Sequence, residues 1–198
     1  WSSDVCSSDL DLETYKGQFL LLFYENSLVE IYDLNSEKIV YSGKAYDQTD
    51  VQKYNHSSVL FVKDNLIYQL RNGAKEALLL CFDVDKYQWS TLLKTPYHLN
   101  NIANLDSLLY LPSEYGYWIY DMKTGHSVHI EKLRLSNGQD LETDINVMAF
   151  DRQGGLWAGT QHRGLLYARP FNSPFNVYHW SDKRTGPYYA MMDGREAE

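Results

Sequence analysis

INVMAFDRQGGLWAGTQHRGLLY, running from Ile145 to Tyr167, decides the fold. INVMAF is an apolar run, and DRQGG after it supplies a turn whose glycines reach positive φ without steric cost. LWAGT is a second run, and QHRG turns the chain again into LLYAR. Three runs joined by short hairpins predict an antiparallel meander, and FNVYHW, beyond the bend at PFNSP, offers a fourth strand.

The unit recurs. Asp151 of the first turn has counterparts in LFVKDNLIYQL (Asp64), IANLDSLLYL (Asp106) and AMMDGRE (Asp193), at intervals of 42, 45 and 42 residues. A second landmark, an aromatic followed by Asp and a polar turn, appears in IYDLNSEKIV (Asp33), CFDVDKYQWS (Asp83) and IYDMKTGHSV (Asp121). Asp33 and Asp121 lie 88 residues apart, two steps of 44; the uneven 50 and 38 between them predict a longer loop at RNGAKEA, Arg71 to Ala77. A four-stranded unit repeating every roughly 40 to 45 residues has the size of a propeller blade. The expected fold is therefore all-β, a β-propeller fragment of about four four-stranded antiparallel blades forming an open arc. FLLLF, VLFV, ALLLCF and the YWIY of Tyr117 to Tyr120 supply the strongly apolar strands that blade stacking demands. The expected division is blade 1 at 11–47, lacking its first strand, blade 2 at 55–97, blade 3 at 98–135, blade 4 at 143–180, and the start of a truncated fifth blade at 186–198.

Composition agrees. The 198 residues are 44% hydrophobic and 15% aromatic, with 17 tyrosines, which suffices for a sizeable core. No window carries a sustained helical apolar stripe with caps. The net charge of −8, with scattered Lys and Arg, excludes a nucleic-acid partner. The longest apolar runs, Phe19 to Phe23 and Ala77 to Phe82, are too short to cross a bilayer, so no membrane contact by this chain is expected. The first residues lack the basic and apolar regions of a secretion signal.

WSSDVCSSDL, Trp1 to Leu10, has no apolar periodicity and resembles a sequencing adapter translated in frame. It is set aside as an expected disordered artefact, which makes the chain a piece of an assembled environmental sequence with both ends where the assembly broke. Cys81 is then the sole thiol, inside an apolar strand where a small buried role is expected, and the net charge becomes −6 without Asp4 and Asp9.

The segment INVMAFDRQGGLWAGTQHRGLLYARP resembles the repeat of two-component regulator propellers. In that repeat an Asp and Gly turn precedes Leu-Trp, Gly-Thr and Gly-Leu; here these are Asp151, Gly154, Gly155, Leu156, Trp157, Gly159, Thr160, Gly164 and Leu165. PYYAMMDGRE resembles the opening of a second copy, whereas NLIYQL and SLLYLP hold neither Leu-Trp nor Gly-Thr. The resemblance implies the periplasmic sensor region of a membrane-spanning, often hybrid, histidine kinase that senses glycans or their breakdown products. It also implies a ring closed by about seven blades, with the remaining blades of the full-length chain as neighbours and a homodimeric full-length protein.

Motifs for chemistry are thin. His126 and His129 lie three apart on an expected strand and face opposite ways; His56, His98, His162 and His179 are isolated, so no metal site is expected. There is no nucleophile elbow, phosphate loop or dinucleotide fingerprint, so neither catalysis nor a cofactor is expected. Trp157 is expected to fill the space between blades, and Asp151 to form its turn. A ligand, an oligosaccharide or another small molecule, should meet the hairpins joining second and third strands: Glu114, Tyr115 and Tyr117 from one blade, Gln161, His162 and Arg163 from another. Aromatic planes beside amides and charges suit a sugar's apolar face and hydroxyl rim. The competing reading is a propeller used as a protein interaction platform, weakened because IYD and CFD stand where WD-type repeats end a strand in Trp-Asp.

Overall fold

The computed structural model describes residues 10–24, 26–46, 53–54, 56–170 and 173–178, with backbone alone for 56–58. Residues 1–9 with Cys6, the His56 side chain, His179, and the expected fifth-blade segment at 186–198 with Asp193 lie outside the described residues. The described residues are strands and turns, and they divide between Pro96 and Tyr97 into two compact units.

The first unit holds two antiparallel meanders. One runs β1 (Leu10–Tyr15), β2 (Phe19–Tyr24), β3 (Leu28–Asp33), β4 (Lys38–Lys44); the other runs β5 (His56–Lys63), β6 (Leu66–Asn72), β7 (Ala77–Asp83), β8 (Gln88–Thr95). Period-two alternation puts Leu21 and Phe23 of β2 and Val29 and Ile31 of β3 on one face, where they meet Ile67, Phe82 and Val84 of the second sheet. Trp89 edges Phe23 at 6.2 Å between ring centroids, and Tyr41 packs on Phe82 at 5.6 Å. β6 and β7 are buried along nearly their whole length; β7 accordingly reads as a continuous apolar run, whereas β6 buries Gln69, Arg71 and Asn72 among its apolar residues. Cys81 lies in β7, its thiol pushed up to about 11 by burial, so it behaves as a small core residue.

The second unit repeats the meander with β9 (Ala103–Leu105), β10 (Leu108–Pro112), β11 (Tyr117–Asp121), β12 (Ser127–Ile130), and again with β15 (Ile145–Phe150), β16 (Leu156–Thr160), β17 (Leu165–Ala168), β18 (Phe175–Tyr178). Between them a hairpin pairs β13 (Leu133–Arg134) with β14 (Asp140–Leu141), and Leu135 bridges in parallel to Phe175. Ala103 and Tyr117 from the third sheet, Leu133 and Leu135 from the hairpin, and Ile145, Met148, Ala158 and Leu166 from the fourth form one core. Four four-stranded antiparallel meanders in chain order are β-propeller blades.

Three expectations need correction. The first sheet is complete: Leu10, set aside above as adapter, opens β1 and pairs with Tyr24, and the strand continues to Tyr15 opposite Phe19. Its alternation of Leu with charged residues concealed it as an edge strand. The residues after Ile130, counted into the third blade, form the separate β13–β14 hairpin. The uneven 50 and 38 spacing does not come from a long loop at 71–77, because β6 and β7 extend into that stretch and leave only 73–76 between them. The extra length lies in β5, 8 residues against 3 in β9, in β6 and β7, 7 residues each against 5 in β10 and β11, and in a longer connection ahead of β5. Trp157 alternates onto the face opposite Leu156 and Ala158, with its ring 4.4 Å from Tyr167 and 6.0 Å from Tyr178.

Candidate functional site

In a meander the turns after the first and third strands fall at one edge of the sheet, and the turn after the second falls at the other. The first edge is closed on itself. In three sheets the residue ending the third strand is an aspartate, and each accepts from the backbone two or three residues on: Asp33 from Asn35, Asp83 from Asp85 and Lys86, Asp121 from Lys123. The turn after the first strand reaches across to the same carboxylate, with Gln18 donating to Asp33 and Asn65 to Asp83, both at 3.1 Å. Beside these, Leu34, Val84 and Met122 donate backbone N–H to the carbonyls of Gln18, Asn65 and Ser107 at 2.9, 3.0 and 2.9 Å. Hydrogen bonds to the ionised form hold all three carboxyls below the usual carboxylate range.

The fourth sheet does this differently. Its third strand ends at Ala168, and the carboxylate comes from Asp151 in the first turn. Asp151 Oδ1 accepts from the backbone of Gly155 (2.7 Å) and Gln153 (3.0 Å), while Oδ2 accepts from Trp157 Nε1 (3.2 Å). The Gly155 N–H is the largest cause of its lowered pKa. Asp64 and Asp106, its sequence counterparts, instead sit in the left-handed region, at φ 56° and 52°, within two-residue turns. The first landmark therefore matches in position but not in role. An open groove in the first unit, lined by Tyr15, Lys16, Asp64, Asn65 and Asp85, also opens at this edge and is crossed by the Lys16–Asp85 ion pair at 3.2 Å.

The opposite edge carries the predicted ligand residues. In the fourth sheet the Thr160 hydroxyl and N–H both donate to the Gly164 carbonyl, at 2.8 and 3.1 Å, and Arg163 N–H donates back to the hydroxyl at 2.9 Å. Ser113 repeats the device in the third sheet, its hydroxyl and N–H donating to the Gly116 carbonyl at 3.2 and 2.9 Å. Both hydroxyl residues are fully buried. The Gly-Thr signature that the third sheet lacks in sequence is thus present in it as a hydrogen-bonding role.

Those two loops flank one linker: Gly116 N–H donates to the Thr143 carbonyl at 3.1 Å, and Gln161 N–H to the Asp144 carbonyl at 3.3 Å. Glu114 and Tyr115 are exposed on one side, His162 and Arg163 on the other, with Gln161 half-buried. Tyr117 does not belong with them. It alternates inward at the start of β11, stacks with Tyr110 in the core, and has its hydroxyl pushed up to about 12 by burial.

Two residues that the sequence left aside join Tyr115. Tyr97 lies 5.0 Å from its ring and 5.5 Å from that of His129, which itself stacks on Trp118 at 4.5 Å and 11°. His126 precedes β12 and is exposed, so the two histidines do not share a strand. Among the described residues no three His, Cys, Asp or Glu side chains gather to hold a metal ion. At the same edge of the second sheet, the carboxylate of Glu76 is taken up by Lys53, Tyr54 and, at 2.8 Å, Lys94.

No family model matches the chain, and no curated protein matches it in sequence. Among solved structures it is similar to the computationally designed Ika8 protein, with TM-score 0.57 and 11% identity over 93% of this chain and 52% of that one. It is also similar to the computationally designed Ika4 protein, with TM-score 0.55 and 10% identity over 90% and 95%. A third similar structure is the extracellular domain of BT4673 from B. thetaiotaomicron, assigned to a hybrid two-component system, with TM-score 0.57 and 13% identity over 90% of this chain and 22% of that one. The chain therefore spans about half the length of Ika8 and about a fifth of the BT4673 domain, and at these identities the likeness is one of fold.

Proposed function

We propose that this chain belongs to the ligand-sensing propeller region of an extracytoplasmic, periplasmic sensor in a two-component system, and that it binds without catalysing. The observation that carries the reading is the blade fold shared with the extracellular domain of BT4673, taken with the repeat from Asp151 to Leu165 that resembles two-component regulator propellers. The division of edges supports a binding role, because exposed, chemically mixed side chains collect on the loops around Thr143 and Asp144. No helix among the described residues is long and apolar enough to cross a membrane.

A second reading, a platform for other proteins, is favoured by apolar side chains exposed on outer strands: Ile39 at 54%, Val128 at 54% and Tyr178 at 51%. The complete gene separates the two. The sensor reading expects a membrane-spanning segment and a histidine-kinase domain in the same open reading frame, and a complete frame with neither contradicts it.

A further inference from the structure

The chain contains two Asn-Gly pairs, Asn72-Gly73 and Asn137-Gly138, and the fold treats them differently. With glycine after asparagine, no Cβ stands between the following amide nitrogen and the asparagine side-chain carbon. Asn72 is the last residue of β6, 2% exposed and paired with Ala77 across the hairpin, and Gly73 N–H donates to the Glu76 carbonyl at 2.8 Å. A methyl group on Gly73 would run into the Lys53 carbonyl oxygen, so this turn is covered from outside as well. Its backbone opens only when the sheet does.

Asn137 lies at the tip of the β13–β14 hairpin, whose strands are two residues each. Ser136 through Asp140 are exposed. Gly138 is left-handed at φ 84°, and its N–H donates to the Leu135 carbonyl at 2.9 Å. Asn137 Oδ1 accepts from Gln139 N–H at 3.0 Å, an Asx turn that folds Cγ back over the Gly138 amide. The same N–H polarises the carboxamide carbonyl and steadies the charge that builds on Oδ1 under attack. One hydrogen bond keeps the Gly138 nitrogen occupied, in an exposed hairpin of two residue pairs that opens locally at small cost.

We propose that Asn137 is a spontaneous deamidation site of the folded chain, and that Asn72 is not. The Gly138 nitrogen gives its proton to a base in the solvent and bonds to Asn137 Cγ. The Cγ–Nδ2 bond breaks, Nδ2 leaves as ammonia, and a succinimide ring remains. Water then adds to one of the two ring carbonyls: opening at Cγ gives aspartate, and opening at the main-chain carbonyl gives isoaspartate. Either path consumes one water and releases one ammonia, with no change of oxidation state. The products bear on the fourth blade, because Ser136 N–H donates to the Phe175 carbonyl at 2.9 Å and Leu135 bridges to Phe175, tying the hairpin to β18. Isoaspartate lengthens the backbone of a tight loop. Both products remove the Nδ2 donor from Gln139 Oε1 and set a carboxylate near Asp140, the partner of Arg134. The tie to β18 then loosens. None of this depends on the ligand-sensing reading.

The test is to age the full chain in mildly alkaline buffer, folded and in unfolding urea, and to follow both Asn-Gly peptides by mass spectrometry after digestion. The replacement of a carboxamide by an acid is read from the mass, and isoaspartate is separated from aspartate by chromatography. In the folded chain the Asn137 peptide should convert at least ~10-fold faster than the Asn72 peptide, and in urea the two rates should come within ~3-fold of each other. Isoaspartate should exceed aspartate at 137, and amide exchange of the aged chain should speed up at 133–141 and at 175. Folded chain in which Asn137 stays intact while urea exposes it to conversion overturns the proposal. So does equal conversion of Asn72 in the folded chain, or a rate difference that persists in urea and so belongs to the local sequence. Aspartate without isoaspartate overturns the succinimide route.

Discussion

Single carboxylates do most of the work in tying the turns at both edges, and acid should reveal it. Glu76 is held down to about 2 from its ordinary 4.5, chiefly by Lys53 and then by Lys94 and Tyr54. A carboxyl whose folded value is depressed contributes stability that is fully present above its unfolded value and is lost as pH falls through the folded one. Melting temperature followed by circular dichroism should therefore fall as pH drops from 4.5 toward 2, and Glu76→Gln should remove part of that fall. Asp33, Asp83, Asp121 and Asp151, also depressed, act in the same sense. At Gly155 an added methyl would lie 2.5 Å from the Tyr167 ring and 2.6 Å from Asp151 Oδ2. Gly155→Ala should accordingly cost about 1–3 kcal/mol in a denaturant titration, through the aromatic and the carboxylate it displaces. Both sets of aspartates were visible in the sequence, but their division of labour was not. Asp suits a left-handed turn and a side-chain cap equally well, and loop length, two residues at Asp64 and five at Asp151, decides which role it takes.

At the scale of elements, the sheets with apolar alternation were legible and the modest ones were not. β15 to β18 follow the expected meander from Ile145 onward, because the two hairpins joining β15, β16 and β17 carry glycine and the strands are apolar runs between polar turns. β1 escaped notice since only Tyr15 at its end is buried, and β13–β14 are too short to show a period. The same alternation explains the misplaced Tyr117, which borders a loop yet faces the core. Packing should rank mutations by face. Leu166, fully buried in the second unit's core, should cost about 2–5 kcal/mol as Leu166→Ala, whereas Val128→Thr on exposed β12 should stay within about 0.5 kcal/mol, both read by urea unfolding.

For the molecule as a whole, the repeat is what the sequence conveyed best, since a period of 42 to 45 residues survives even where individual motifs are lost. The candidate site was half legible. Tyr115, Gln161, His162 and Arg163 stood out because loops between apolar runs are exposed; Tyr97 and His129 did not, because they reach Tyr115 across 18 and 14 positions of chain. The central claim is a division between edges, one closed by carboxylates in all four blades and one that we propose meets ligand in the second unit. Amide hydrogen exchange of the full chain, with and without a panel of oligosaccharides, tests it most directly. Slowed exchange at 97–100, 113–117 and 160–164, with 16–18, 64–65, 106–107 and 151–155 unchanged, is the predicted result, and protection confined to those latter four turns would contradict it.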